Sequence, residues 1–130
     1  RIQSEIETAF YEQFASKLDG VQHSVQLPVA WCRELSAEVD ILIPDARIAI
    51  EFDGEWFHRN RVLQDEAKSR ALVKAGYIVV RIREIGLPVL SYRHRNFLQV
   101  LFPNGGNVEE TVWSVIGDVM CLNGDQKVAS

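Results

Sequence analysis

Long apolar runs are missing from this sequence. Nowhere in its 130 residues does a stretch approach the roughly 18 apolar residues of a membrane-spanning helix. No succession of charged, apolar and small residues marks a secretory signal. Cysteine is scarce: Cys32 and Cys121 lie far apart and belong to no CxxC or Cys/His spacing. That argues against a structural zinc site and for ordinary reduced, buried thiols, as in an intracellular protein. Internal repeats and low-complexity tracts are absent as well. A basic excess is also lacking, since 14 Lys and Arg face 18 Asp and Glu for a net charge of −4. Taken whole, that balance argues against a nucleic-acid partner. The chain opens on Arg1 rather than Met, which suggests a domain excised from a longer protein with flanking domains.

What is present is enough for one domain, spanning residues 1–130, with a real core. Hydrophobic residues make up 47% and charged ones 25%, the composition of a globular protein. The charge is segregated. Residues 1–57 carry 4 basic and 11 acidic side chains, residues 58–100 carry 9 and 3, and the remainder sums to −3. A balance of −7 is thus followed by one of +6. Such separation can guide a polyanion to one face, or it can be the solvated charge of two amphipathic helices.

Local patterns predict the elements. In "SEIETAFYEQFASKLDG", Ser4 caps a helix, Glu7 completes a capping box, and Gly20 stops it, with Ile6, Phe10, Phe14 and Leu18 as the apolar stripe. "VQHSVQLPV", "EVDILI" and "IAIEFD" read as strands, the last two joined by the turn "PDAR". In "EVDILI", Val39, Ile41 and Ile43 share one face. "VLQDEAKSRALVKAG" reads as a helix closed by Gly76, and "YIVVRIRE" as a strand with Arg81 and Arg83 on one face. "GLPVLSYRHRNFLQVLF" reads as a turn and then a helix, and "VEETVWSVIGDVMCL" as a last helix before a frayed polar tail. The order αβββαβ, with helices over about 91–122, predicts an α/β fold with a mixed sheet.

Charge at the end of the strand "IAIEFD" is the anomaly. If Ile43 pairs with Ile48, Asp40 falls opposite Glu51, where like charges about 4.5–5.5 Å apart destabilise a sheet. Asp53 shares the face of Glu51. Convergence of Asp40, Glu51 and Asp53 predicts a hard cation, Mg²⁺ above all, held by carboxylates and a substrate phosphate. Gly54 would let a backbone approach closely. His58 follows just past the strand end, and Asp65 could orient its ring, which makes His58 a candidate general base. Lys68, one turn beyond Asp65, either contacts a phosphate or forms a surface pair with Asp65.

These residues, in "EVDILIPDARIAIEFDGEWFH" and "QDEAKSRALVKAGYIVVRIRE", resemble the PD-(D/E)xK nuclease superfamily. The nearest branch is that of the very-short-patch repair endonuclease and the EDxHD homing endonucleases. The resemblance covers about Ser4 to Leu90, roughly two thirds of the chain. It implies a restriction-endonuclease-like core in which Glu7 is the helical acid, Asp40 the first metal-binding Asp and Glu51 the E of E-x-K. Asp53 stands where the superfamily usually has Lys. That branch also lacks this lysine and uses a histidine, as His58 would here, with Asp65 at the start of the following helix. The implied activity is Mg²⁺-dependent hydrolysis of DNA, with Mn²⁺ able to substitute. Its catalytic set is Glu7, Asp40, Glu51, His58, Asp65 and Lys68, and phosphates would be held by Arg59, Arg61, Lys68, Arg81 and Arg83. Two alternatives share the scaffold: an RNA-binding module like the RAP domain, and a degenerate nuclease fold used for assembly.

Overall fold

In the computed structural model, which describes residues 4–129 and side chains through Asn123, the chain folds around a five-stranded sheet. Helix α1 (Glu5–Lys17) precedes strands β1 (Gln22–Leu27), β2 (Ala37–Ile43) and β3 (Ile48–Asp53). A short α2 (Glu55–His58) and α3 (Val62–Lys74) lead to β4 (Ile78–Glu84), β5 (Phe97–Phe102) and α4 (Val108–Ala129). Strands lie in the order β1-β2-β3-β4-β5; the first two pairings are antiparallel and the last two parallel. The molecule is therefore α/β with a mixed sheet, as the sequence predicts.

Helices cover both faces of the sheet. Phe10 and Phe14 of α1, with Val112, Val115, Ile116 and Val119 of α4, pack on Ile41, Ile43, Ile48, Ile50 and Phe52. The other face packs Val39, Ala49 and Val79 against Leu72 and Val73 of α3, closed by Leu90. Two covered faces explain why β3 is buried at every position. Ser4 accepts from the Glu7 backbone N–H at 3.0 Å, the expected N-cap of α1. Gly76, at φ +99°, ends α3 where a side chain would strain the backbone and meet the Arg47 guanidinium at 3.2 Å.

Several expectations are corrected. The helix predicted in "GLPVLSYRHRNFLQVLF" is instead an irregular arm followed by β5, and α4 is the one helix among the described residues after it. Six residues, "FLQVLF", are too short for period to separate strand from helix. A free parallel edge on β4 decides it, pairing Val79 with Phe97 through to Glu84 with Phe102. Helix α4 runs on to Ala129, through the tail expected to fray. Alternation in β2 breaks at Asp40: Val39 faces α3, whereas Ile41 and Ile43 face α1 and α4. Both cysteines, expected to be buried, are exposed. No helix among the described residues is long and apolar enough to cross a membrane.

Candidate active site and its charge network

The carboxyl ends of β3 and β4 open into a cleft of about 550 Å³, bounded by α1, α2 and α3. Glu7, Glu51, His58, Arg61, Asp65, Lys68 and Arg81 line it, joined by Trp31, Glu38, Trp56 and Phe57. Ligand sites in α/β sheets lie at such strand ends, because loops and helix starts converge there on a rigid frame. Of the sequence-derived candidates, Asp40 and Asp53 sit behind the lining, both fully buried.

Asp40 does not simply oppose Glu51. The β2–β3 ladder stops at Ile41↔Ile50, and the Asp40 carboxylate then accepts from the Phe52 backbone N–H at 2.8 Å. An acid has taken over a sheet hydrogen bond, which brings its charge beside Glu51. Burial, and then Asp40, push the Glu51 carboxyl up to about 7, against the opposing pull of Lys68 and Arg81. Lys68 reaches across from α3 to place its ammonium 2.9 Å from Glu51 Oε1. That contact is an ion pair off the hydrogen-bonding axis, and Oε1 is buried without a hydrogen bond. Lys68 is thus a partner of Glu51, not of Asp65 on the surface.

Asp53 belongs to a different group. Parallel register sets Glu51 beside Arg81 and Asp53 beside Arg83. Asp53 accepts from Arg81 Nη1 at 2.8 Å and from Arg83 Nη1 at 2.7 Å. Asp65 accepts from Arg83 Nη1 at 3.1 Å, and Arg81 Nε donates to Ser69 Oγ at 2.6 Å. Both guanidiniums are fully buried. The expectation that Arg81 and Arg83 hold DNA phosphates on an open face is therefore corrected. They are the counter-ions of an internal network, and the register of two strands put them there. Burial pulls the Arg81 guanidinium down, but Asp53, Glu51 and Asp65 more than offset it and hold it firmly charged.

His58 closes the network toward the cleft. Its Nδ1 lies 3.0 and 3.1 Å from the two Asp65 oxygens and 3.6 Å from Asp53 Oδ1. With Asp65 ionised, His58 Nδ1–H is the donor of this contact. Burial pushes the Asp65 carboxyl up, but the His58 hydrogen bond, Arg81 and Arg83 outweigh burial and hold it below the ordinary value. Asp65 thus stays ionised and orients the ring, as the sequence spacing predicts.

Asp53, His58 and Asp65 each offer one ligand atom within 4.8 Å of the others, a group able to hold a metal ion. A cation there would compete with two guanidiniums already bound to those carboxylates. Glu51, with its weakened acidity and an oxygen lacking a hydrogen bond, is the better match for an added positive charge. Asp53 thus stands with His58 and Asp65 in this group, while its charge also helps to raise the Glu51 carboxyl.

Sequence reasoning missed several residues here. His23 of β1 meets Glu7 Oε2 at 3.3 Å and stacks on Tyr11, with ring centroids 4.3 Å apart. Trp31 comes in from the β1–β2 connection, 5.7 Å from the Lys68 ammonium. Neither has a local pattern that marks it. Trp56 and Phe57 are visible in "GEWFH", but their exposure is decided by the turn into α2. Arg59 stands over the Trp56 ring at 4.9 Å, and Arg61 lies at the cleft rim. Gly54 has an ordinary extended backbone, and a side chain there would meet Glu84 Oε1 at 3.3 Å, so its close neighbour is Glu84. Comparison with known proteins adds no assignment: no protein-family model matches the chain, and no curated protein matches it.

Proposed function

We propose that this domain is a metal-dependent endonuclease that hydrolyses DNA phosphodiesters in the cleft. One observation carries the reading. A buried Glu51, its acidity weakened to about 7, shares the cleft with Lys68 and with a His58 oriented by Asp65. Weakened acidity in a cleft, with a specific partner, marks functional carboxylates more often than structural ones. Asp40 and Glu51 are the residues that would hold a divalent cation, and Mg²⁺ fits their all-oxygen chemistry. When bound, such an ion polarises a phosphoryl oxygen and lowers the pKa of water.

The chain's own residues do the rest. His58 Nε2 takes a proton from the attacking water as the P–O bond to the leaving sugar oxygen breaks, Asp65 holds the ring and steadies the imidazolium, and solvent water protonates the leaving oxygen. Lys68, freed from Glu51, offers its ammonium to a phosphate oxygen. Arg61 at the rim and Arg59 beside Trp56 steer the backbone into place. Glu7, held by His23, supplies a further carboxylate on the α1 side. This reading agrees with the resemblance to the PD-(D/E)xK nucleases.

A second reading, an RNA-binding module without catalysis, draws on Trp56 and Phe57. They are 74% and 60% exposed at the cleft mouth, where rings can stack on unpaired bases. One experiment separates the two. Supercoiled plasmid and a single-stranded RNA are incubated with the protein in Mg²⁺, Mn²⁺ or EDTA. Nicking that needs the metal and disappears in Glu51→Gln supports the nuclease. RNA binding that ignores EDTA, with intact plasmid, supports the alternative.

A further inference from the structure

Of the nine basic residues in 58–100, six are exposed: Arg59, Arg61, Arg70, Lys74, Arg93 and Arg95. No carboxylate in that segment is exposed, because Asp65 is buried and Glu66 and Glu84 are half-buried. Arg61 lines the cleft, and Arg59 stands over Trp56 at its mouth. Arg70, two positions on from Lys68, falls on the opposite side of α3, where it meets the arm that carries Arg93.

Glu66 and Arg70 stand at i and i+4 on α3, the spacing of an ordinary helix ion pair. They do not form one. Glu66 accepts instead from Ser91 Oγ and the Tyr92 N–H, both at 2.9 Å, which fastens the arm of residues 88–96 to the helix. Arg70 lies over the Tyr92 ring at 4.5 Å, and Tyr92 leans on Phe97 with centroids 5.1 Å apart. The carboxylate that would neutralise Arg70 is engaged by the arm. The ring contact positions an exposed guanidinium, whose fork of N–H groups suits phosphate oxygens. The arm is itself ordered. Arg93 donates to the Leu90 carbonyl at 2.6 Å, and Gln99 brackets Leu90 with bonds of 2.8 and 3.0 Å. A rigid basic platform without a compensating acid is more than a solvated surface needs.

We propose that Arg70 and Arg93, beside Tyr92, form a second contact for the DNA backbone, on the far flank of α3 from the cleft. The contact binds phosphates without reading sequence and lengthens the footprint beyond the cleaved bond. It rests on the reading of the protein as DNA-binding, but not on cleavage.

Fluorescence anisotropy with a labelled duplex, in EDTA and over a salt series, tests it in the wild type, Arg70→Gln/Arg93→Gln and Arg70→Lys/Arg93→Lys. The Gln pair should lessen the slope of log affinity against log salt by about 1.8, the share of two phosphates, equally on unrelated sequences. The Lys pair should keep the slope, since it keeps the charge. Metal-dependent nicking at saturating DNA should be unchanged in both. An unaltered slope in the Gln pair overturns the proposal, as does a wild type that binds no duplex at any salt. Binding of poly-glutamate with the same loss in the Gln pair also overturns it, because a protein acid would then be the partner. Salt-dependent binding without nicking leaves this contact standing and removes the nuclease reading.

Discussion

Glu51 carries the clearest linkage between protons and stability. Its carboxyl is lifted from an ordinary value of 4.5 to about 7, so between those pH values the native state holds a proton that the unfolded chain has released. Stability therefore falls as pH rises through that window, by up to about 3 kcal/mol. Urea unfolding at pH 5 and pH 8, without metal, should show the fall, and Glu51→Gln should abolish it. Divalent cation affinity should run the opposite way, rising up to about tenfold per pH unit below 7 as one proton is displaced. For His58, held through Nδ1 by Asp65, replacement by Ala should lower turnover roughly 10²–10⁴-fold with metal affinity little changed. Calorimetry with Mn²⁺ checks the second half, and a collapse of affinity would make His58 a ligand instead. Residue spacing made this dyad legible, since both partners lie within eight residues. Nothing local connected His23 to Glu7 or Lys68 to Glu51, because those contacts cross from one element to another.

At the scale of elements, the pairing of β3 with β4 is what tames the buried charge. Two strands, each reading as core, carry carboxylates and guanidiniums on the same face, and the parallel register brings them together. Breaking such a pair leaves an ion buried and uncompensated, so Arg83→Met should destabilise by about 3–5 kcal/mol. Replacing Arg83 and Asp53 together, by Met and Asn, should cost much less than the sum of the two changes. A denaturant double-mutant cycle measures the difference. Asp40→Ala is expected to leave the Phe52 N–H buried without its acceptor, which costs about 1–3 kcal/mol. Relief of repulsion at Glu51 offsets part of that, and the normal thermal transition should persist while cation affinity is lost. Strand β5 was illegible for a comparable reason. Its six residues have no decisive period, and only the open edge of β4 selects extension over helix.

Across the whole molecule, cleavage of plasmid DNA should require a divalent cation and stop in EDTA, while duplex binding in EDTA weakens steeply with salt. Charge placement explains how a protein of net −4 can do this: Glu7, Asp40, Glu51, Asp53 and Asp65 are buried, and six exposed basic residues follow one another over 58–100 without an exposed carboxylate. The amino-acid order alone determined the helix caps, the amphipathic stripes, the β2–β3 turn and the α/β class. Those depend on neighbours within one or two turns or a single hairpin, where propensity and period suffice. It also determined that charge of opposite sign is segregated along the chain. Only the tertiary structure decided what that charge does. Arg81 and Arg83 read as a contact face and became internal counter-ions; Lys68 read as either a phosphate contact or a surface partner of Asp65 and is paired with Glu51; Arg70 lost its helix mate to the arm at Tyr92. Each outcome turns on which groups meet across 17 to 30 residues of chain, and an ion's energy depends on its nearest opposite charge and on its distance from water.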